Sequence, residues 1–161
     1  MTSKYRGVGA AIICIISFVL VLAALYTQHY DGLAPCPLCI LQRYAYLLMS
    51  FVCLLAAILP PTGLRRATLV VAGLFGLTGV GFAARNVWVL HNPGSSCGID
   101  PVENFVNAML PAKWLPSVFY SSGDCSTLLP PLLGLQLPEW SLIWLVILTA
   151  ACFVLAWGRD H

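Results

Sequence analysis

Four long apolar stretches divide the chain, and most polar residues lie in the segments between them. The stretches run near 8–27, 40–59, 67–90 and 140–157. A helix needs about 20 apolar residues to cross the hydrocarbon core of a bilayer, and each stretch is close to that length. The pattern predicts an all-α membrane protein, a four-helix transmembrane bundle that forms a single domain over residues 1–161.

Composition supports a membrane protein. Of 161 residues, 60% are hydrophobic and 9% are charged, whereas about a quarter of the residues in soluble domains are charged. Lys4 and Arg6 precede the first stretch, as in a signal peptide, but the stretch exceeds the roughly 7–15 apolar residues of such a peptide. We therefore expect a retained helix.

Charge sets the expected orientation. Five basic residues fall on one side of the four-span arrangement: Lys4, Arg6, Arg65, Arg66 and Arg159. The positive-inside rule makes that side cytoplasmic, so both termini are expected there and the loops near 28–39 and 91–139 outside. The net charge of +2 thus reflects topology, and it gives no support to nucleic-acid binding.

The seven cysteines form two groups. Three lie within the predicted spans, where a thiol is usually a small buried hydrophobe: Cys14, Cys53 and Cys152. Four lie outside the spans or at their outer boundary: Cys36, Cys39, Cys97 and Cys125. In a bacterium that compartment is the oxidising periplasm, where disulfides persist. Four cysteines allow three pairings, and spacing favours Cys36 with Cys39 and Cys97 with Cys125 without excluding the others.

The stretch APCPLCILQR, residues 34–43, combines a thiol pair with a fixed charge. Pro37 suits the first position of a helix, which puts Cys36 at the N-cap and Cys39 in the first turn. A helix N-terminus favours the anionic form of a thiol, and Arg43 follows Cys39 by one turn on the same face. The pattern indicates an activated sulfur. Arg43 as an interfacial anchor, a four-cysteine zinc site and purely structural disulfides are the alternatives.

The outer loop contains a predicted amphipathic helix. In DPVENFVNAML, residues 100–110, apolar positions recur at helical spacing. The helix either lies on the membrane surface, with Trp114, Phe119 and Tyr120 as further anchors, or packs over the mouth of the bundle. Glycines and serines surround Cys97 and Cys125, so both cysteines are expected to be flexible and accessible.

Small residues recur along the third span at three- and four-residue spacing, which favours close helix packing in lipid. They are Ala72, Gly73, Gly76, Gly79, Gly81 and Ala83. Arg85 and Asn86 follow near the outer end of that span. Both are expected either at the depth of Arg43 or as interfacial anchors.

Four motifs together resemble the DsbB family of bacterial inner-membrane thiol oxidases. They are PCPLCILQR, NPGSSC, KWLPSVFYSSGDC and LGLQLPEW, and the similarity extends over essentially the whole chain. The resemblance implies a four-helix bundle in the inner membrane that takes electrons from reduced DsbA and passes them to ubiquinone or menaquinone.

The resemblance also implies roles for single residues. DsbA would attack a Cys97–Cys125 disulfide at Cys97, and the released Cys125 would attack Cys36. Cys39, freed in turn, would donate electrons to the quinone. Arg43 would stabilise negative charge, Arg85 is a weaker candidate for quinone contact, and Asn86 stands where many members have a histidine.

Two other functions remain open at this stage. A four-span scaffold with a stapled outer loop would explain the cysteines but not Arg43 next to Cys39. A vitamin K epoxide reductase-like enzyme also joins thiols to quinones, but its C-x-x-C motif normally lies late in the sequence.

Overall fold

In a computed structural model of the chain, described for residues 3–30, 32–60, 63–92, 99–123, 125 and 133–158, seven helices are found. They are α1 (Ser3–Tyr30), α2 (Pro37–Ile58), α3 (Gly63–His91), α4 (Ile99–Ala108), α5 (Leu110–Trp114), α6 (Pro116–Phe119) and α7 (Leu137–Trp157). Two residues singled out in the sequence, Cys97 and Arg159, lie outside the described residues.

The four-span prediction is confirmed. The helices α1, α2, α3 and α7 are each long and apolar enough to cross a membrane. Each begins a few residues before the predicted apolar stretch, because polar and proline residues at a helix end still belong to the helix. At the start of α7, for example, the Gln136 backbone N–H donates to Glu139 Oε2 at 2.7 Å and closes a capping box.

The helix α3 packs closely between α2 and α7, as its small residues predict. A Cβ atom at Gly76 would overlap Thr149 Oγ1, and one at Gly79 would lie 2.8 Å from Ala45 Cβ. A larger side chain at either position would push α3 away from its neighbours. Such close approach of backbones contributes van der Waals packing, one of the forces that hold helices together in lipid.

The helices α1 and α7 meet at one end of the bundle and separate at the other. At the end that carries Arg6 and Arg65, called here the terminal end, Arg6 Nε donates to Leu155 O at 3.0 Å and Gly9 lies against the Leu155 side chain. At the opposite end, called the cysteine end because it carries Cys36 and Cys39, a cavity lies between the two helices.

The cysteines within the spans are core residues. Cys53 and Cys152 are fully buried with their Sγ atoms 3.8 Å apart, and the half-buried Cys14 has its Sγ 3.3 Å from Ser50 Oγ. They pack among large buried side chains such as Met49. The three cysteines thus pack in the core as small apolar residues do, as the sequence predicts.

The segment from α4 to α6 lies over the start of α2. Val106 is fully buried against Ile40 and Phe119. Phe105 and Trp114, in contrast, are largely exposed. The segment therefore combines the two arrangements considered for it, since one side packs on the bundle and the other presents apolar side chains to the surroundings.

Candidate functional site

The N-terminus of α2 holds a disulfide between Cys36 and Cys39. Cys36 is the N-cap residue, with Pro37 at the first helical position, as the sequence predicts. The Cys39 backbone N–H donates to Cys36 Sγ at 3.2 Å. Because the first N–H groups of a helix have no partners within it, they can stabilise negative charge on a sulfur held there.

The two sulfurs face different environments. Cys36 is buried in an apolar cluster with Leu38, Val89 and Cys125. Cys39 is half-buried and lines the cavity between α1 and α7. The predicted accessibility of Cys125 is wrong: only 4% of its surface is exposed. Its glycine- and serine-rich sequence indicated local flexibility, but the segment before it is held against the start of α2.

The cavity next to Cys39 has a volume of about 420 Å³, within the range of about 300–1,000 Å³ that is usual for small-molecule sites. Its walls come mainly from apolar side chains of α1 and α7, including Leu20, Ala24, Leu137, Trp140 and Trp144. The polar groups Gln42 and Arg43 enter it from α2. An apolar ligand with a few hydrogen-bond acceptors fits this lining.

Arg43 is buried at the cavity, with 6% of its surface exposed. Its Nη1 donates to Val118 O at 2.7 Å, which ties α2 to α6. No carboxylate in the described part of the chain forms an ion pair with it. A buried guanidinium favours an anionic partner, so the charge can act on Cys39 and on a ligand in the cavity.

Gln42 is a polar group of the cavity that the sequence analysis missed. Ser141 Oγ donates to Gln42 Oε1 at 2.6 Å, and Tyr46 Oη donates to Ser141 O at 3.0 Å. The Gln42 amide nitrogen is buried and has no hydrogen-bond partner among the described residues. A buried donor without an acceptor costs roughly 1–3 kcal/mol, so a ligand oxygen in the cavity would satisfy it. Its place in the sequence, directly before Arg43 and three residues after Cys39, was the signal that could have identified Gln42 as a cavity residue.

Asn86 of α3 contacts both sulfurs of the disulfide. Its Nδ2 lies 3.4 Å from Cys39 Sγ and 3.7 Å from Cys36 Sγ, and the side chain is fully buried. Asn86 therefore donates the side-chain hydrogen bond that Cys39 Sγ accepts. Arg43 lines the same cavity as Cys39, but its Nη1 donates to Val118 O.

Arg85 lies on another face of α3. Its side chain is exposed, with the guanidinium 4.6 Å from the centre of the Trp88 ring. Consecutive helical residues point about 100° apart, so Asn86 faces α2 while Arg85 does not. Arg85 is not among the described residues that line the cavity.

The arrangement can connect two reactions through one disulfide. One sulfur lies in a cluster with a further cysteine, Cys125, and the other adjoins an apolar cavity that Gln42 and Arg43 enter. The zinc alternative would require four thiolates, and the disulfide engages two of those sulfurs. The geometry therefore favours thiol–disulfide exchange.

Comparisons with known proteins agree with this chemistry. The family model described as "Disulfide bond formation protein DsbB" matches residues 7–155. A relative from Ralstonia nicotianae named Disulfide bond formation protein B is 51% identical over 150 residues, which cover 93% of each chain. A relative of the same name from Cupriavidus metallidurans is 50% identical over 138 residues, 86% of this chain and 84% of its own.

A more distant relative shows the same name. The Disulfide bond formation protein B of Herminiimonas arsenicoxydans is 36% identical over 136 residues, 84% of this chain and 85% of its own. The match of the family model over most of the chain, together with the four membrane-spanning helices, settles the assignment. The chain is a multi-pass membrane protein that belongs to the DsbB family of disulfide bond formation proteins.

Proposed function

We propose that the protein is a thiol:quinone oxidoreductase that re-oxidises a DsbA-like periplasmic thiol oxidase and passes the electrons to ubiquinone or menaquinone. The observation that carries the proposal is the position of Cys39, on the wall of an apolar cavity that also contains the buried Arg43. The family relationship and the disulfide at Cys36 and Cys39 support it.

The proposed thiol relay consists of four exchanges. The donor's thiolate attacks Cys97 of a Cys97–Cys125 disulfide, and Cys125 leaves as the thiolate. Cys125 then attacks Cys36, a new Cys36–Cys125 bond forms as the Cys36–Cys39 bond breaks, and the electron pair leaves on Cys39. The donor's second thiolate then attacks the donor sulfur that is bound to Cys97, which releases the oxidised donor and the Cys97 thiolate. Cys97 attacks Cys125, the Cys97–Cys125 bond re-forms, and Cys36 leaves as the thiolate. Each exchange breaks one S–S bond and forms another, so the electron pair passes from the donor to the Cys36–Cys39 pair.

The residues around the cavity fit a quinone, which supplies an acceptor for two electrons and two protons when bound. Arg43 would stabilise the Cys39 anion and attract a carbonyl oxygen by its charge. Gln42 would donate its unpartnered N–H to a carbonyl oxygen, with its orientation fixed by Ser141. The apolar walls would exclude water from the sulfur. Arg85, which lies over Trp88, has no part in this proposal.

Energetics explain why the relay needs an electron sink. A DsbA-type oxidant has a potential near −120 mV, whereas ordinary structural disulfides lie below about −300 mV. A gap of roughly 180 mV corresponds to about 8 kcal/mol for a two-electron couple, and it makes oxidation of the DsbA-type protein by such a disulfide unfavourable. A membrane quinone would remove the electrons and draw the relay forward.

The proposed location is the bacterial inner membrane, with both termini cytoplasmic and the cysteine end periplasmic. Arg6, Arg65 and Arg66 belong to the terminal end, where the positive-inside rule would place the cytoplasm. An even number of spans puts both termini on one side. Labelling of single cysteines introduced at the two ends, in intact cells, tests this orientation.

The central test is quinone reduction by purified protein in nanodiscs. Reduced DsbA is the electron donor, ubiquinone-1 is the acceptor, and turnover is followed by quinone absorbance. We expect Cys39→Ser to abolish turnover and Arg43→Ala mainly to raise the KM for quinone. Cys14→Ser, which changes a half-buried thiol of α1, is the matched control and should retain activity. Wild-type turnover in Cys39→Ser would contradict the proposal.

A further inference from the structure

A clamp of hydrogen bonds holds the chain before Cys125 against the chain before Cys36. Asn107 of α4 pairs with both backbone groups of Ser121: its Nδ2 donates to Ser121 O at 3.0 Å, and its Oδ1 accepts from Ser121 N at 2.9 Å. Ser121 is fully buried. A side chain that satisfies a buried N–H and C=O together fixes that residue in place.

The other half of the clamp is the carbonyl oxygen of Pro35. Three donors reach it: Ser121 Oγ at 3.3 Å, Ser122 N at 3.2 Å and Gly123 N at 3.1 Å. Gly123 also packs directly on the preceding backbone, where a Cβ atom would overlap Ala34 O. The 121–123 segment is therefore tightly apposed to the residue that precedes Cys36.

The clamp limits where Cys125 can lie. Cys125 follows Gly123 by two residues, so the Cα atoms of the two residues are at most about 7 Å apart. It is buried in the cluster that contains Cys36. Gly123 and Pro35 are thus held together by a hydrogen bond, and the cysteines that follow them, Cys125 and Cys36, lie in the same buried cluster.

We infer that Asn107 is the positioning residue for exchange between the two cysteine pairs. It acts through Ser121, and among the described residues neither of its hydrogen bonds goes to a sulfur. In the step it serves, the Cys125 thiolate attacks Cys36 Sγ, the Cys36–Cys125 bond forms, and the electron pair of the Cys36–Cys39 bond leaves on Cys39. This inference rests on the proposed function, since it concerns the rate of one exchange within that relay. Positioning of this kind raises the effective concentration of the attacking group.

The test measures that effective concentration directly. In a Cys39→Ser/Cys97→Ser background, Cys36 and Cys125 remain as the partners of the exchange. The fraction joined as a disulfide is determined by alkylation and mass spectrometry across a series of glutathione buffers. We expect Asn107→Ala to lower the effective concentration about tenfold or more, because two hydrogen bonds to the segment are lost.

Asn104→Ala is the matched control. Asn104 is exposed on the same helix, one turn before Asn107, so its removal should leave the effective concentration unchanged. Should Asn107→Ala fail to fold, Ser121→Ala deletes only the hydroxyl donor to Pro35 O and is expected to lower the value about two- to fivefold. An unchanged value in the folded Asn107 or Ser121 variant, or an equal fall in Asn104→Ala, would overturn the inference.

A second measurement separates this inference from the proposed function. In a Cys97→Ser/Cys125→Ser background, dithiothreitol can reduce the Cys36–Cys39 pair directly, and ubiquinone-1 reduction then reports on the inner site alone. Adding Asn107→Ala to this background should leave the rate unchanged, whereas a comparable loss there would show a general structural effect and overturn the positioning role. Absence of quinone reduction in the parent background would instead contradict the proposed function.

Discussion

The redox potential of the Cys36–Cys39 pair is expected to depend on Asn86. Its Nδ2 approaches both sulfurs, at 3.4 Å from Cys39 and 3.7 Å from Cys36, and the side chain is fully buried. Replacing Asn86 with leucine keeps a similar volume and removes the donor. A donor stabilises a thiolate more than a disulfide sulfur, because hydrogen bonds to a charged acceptor are stronger. The variant therefore loses more in the reduced state, and its disulfide becomes harder to reduce.

The size of the shift follows from the hydrogen bonds. A bond to a charged group contributes about 1.5–3 kcal/mol, and about 1.4 kcal/mol corresponds to 30 mV in this two-electron couple. We expect the potential of Asn86→Leu to fall by about 30–60 mV. In the oxidised protein, Asn86 Oδ1 is buried without a partner among the described residues. Its removal should leave the thermal stability of the oxidised form equal or raised.

The assay is equilibration of the membrane-embedded protein with thiol/disulfide buffers, followed by acid quenching, alkylation and mass spectrometry. A Cys97→Ser/Cys125→Ser background leaves Cys36–Cys39 as the titrating pair. Asn92→Leu, at an exposed position near the end of the same helix, is the matched control. A potential of Asn86→Leu that stays the same, or rises, would refute the reasoning.

Three further predictions concern the cavity and the packing. Gln42→Leu should raise the KM for quinone about tenfold with a smaller change in kcat, since a donor that binds the ground state is lost; an unchanged KM in a quinone titration would contradict this. Gly76→Ala should lower the free energy of unfolding by about 1–3 kcal/mol through overpacking. In Gly81→Ala the new methyl group extends into open space, so this change should raise the free energy of unfolding by about 0.5–1 kcal/mol. Equal shifts of the two variants in thermal denaturation would refute the packing argument. Tyr46→Phe should cost about 1 kcal/mol of stability through loss of its bond to Ser141 O, and an unchanged melting temperature would contradict that role.

The spans and the start of α2 could be predicted from the sequence because their causes are local. The thickness of a bilayer sets the length of a spanning helix, and a run of apolar residues reports it directly. Cys36 and Pro37 are N-terminal signals that act on their own helix, whatever packs around it. The small residues of α3 likewise predict a close approach, although they do not say which helices approach.

The contacts of the site could not be predicted in the same way. A helix in lipid is apolar on all sides, so its sequence does not reveal which face meets a neighbour. The position of Asn86 against the sulfurs and the exposure of Arg85 depend on that rotation. For Cys125, the serines and glycines report only local freedom. The segment just before it is held by Asn107, eighteen residues from Cys125 in the chain, and by the Pro35 carbonyl.

The different surroundings of the two sulfurs have a kinetic consequence. Under the proposed function, Cys36 receives electrons from the side of Cys125, and Cys39 releases them on the side of the cavity. The protein substrate and the lipid-soluble oxidant thus occupy separate places and do not exclude one another. A saturating concentration of the thiol protein should therefore not block access of the quinone, and the reverse should also hold. We expect no substrate inhibition when both are present at high concentration.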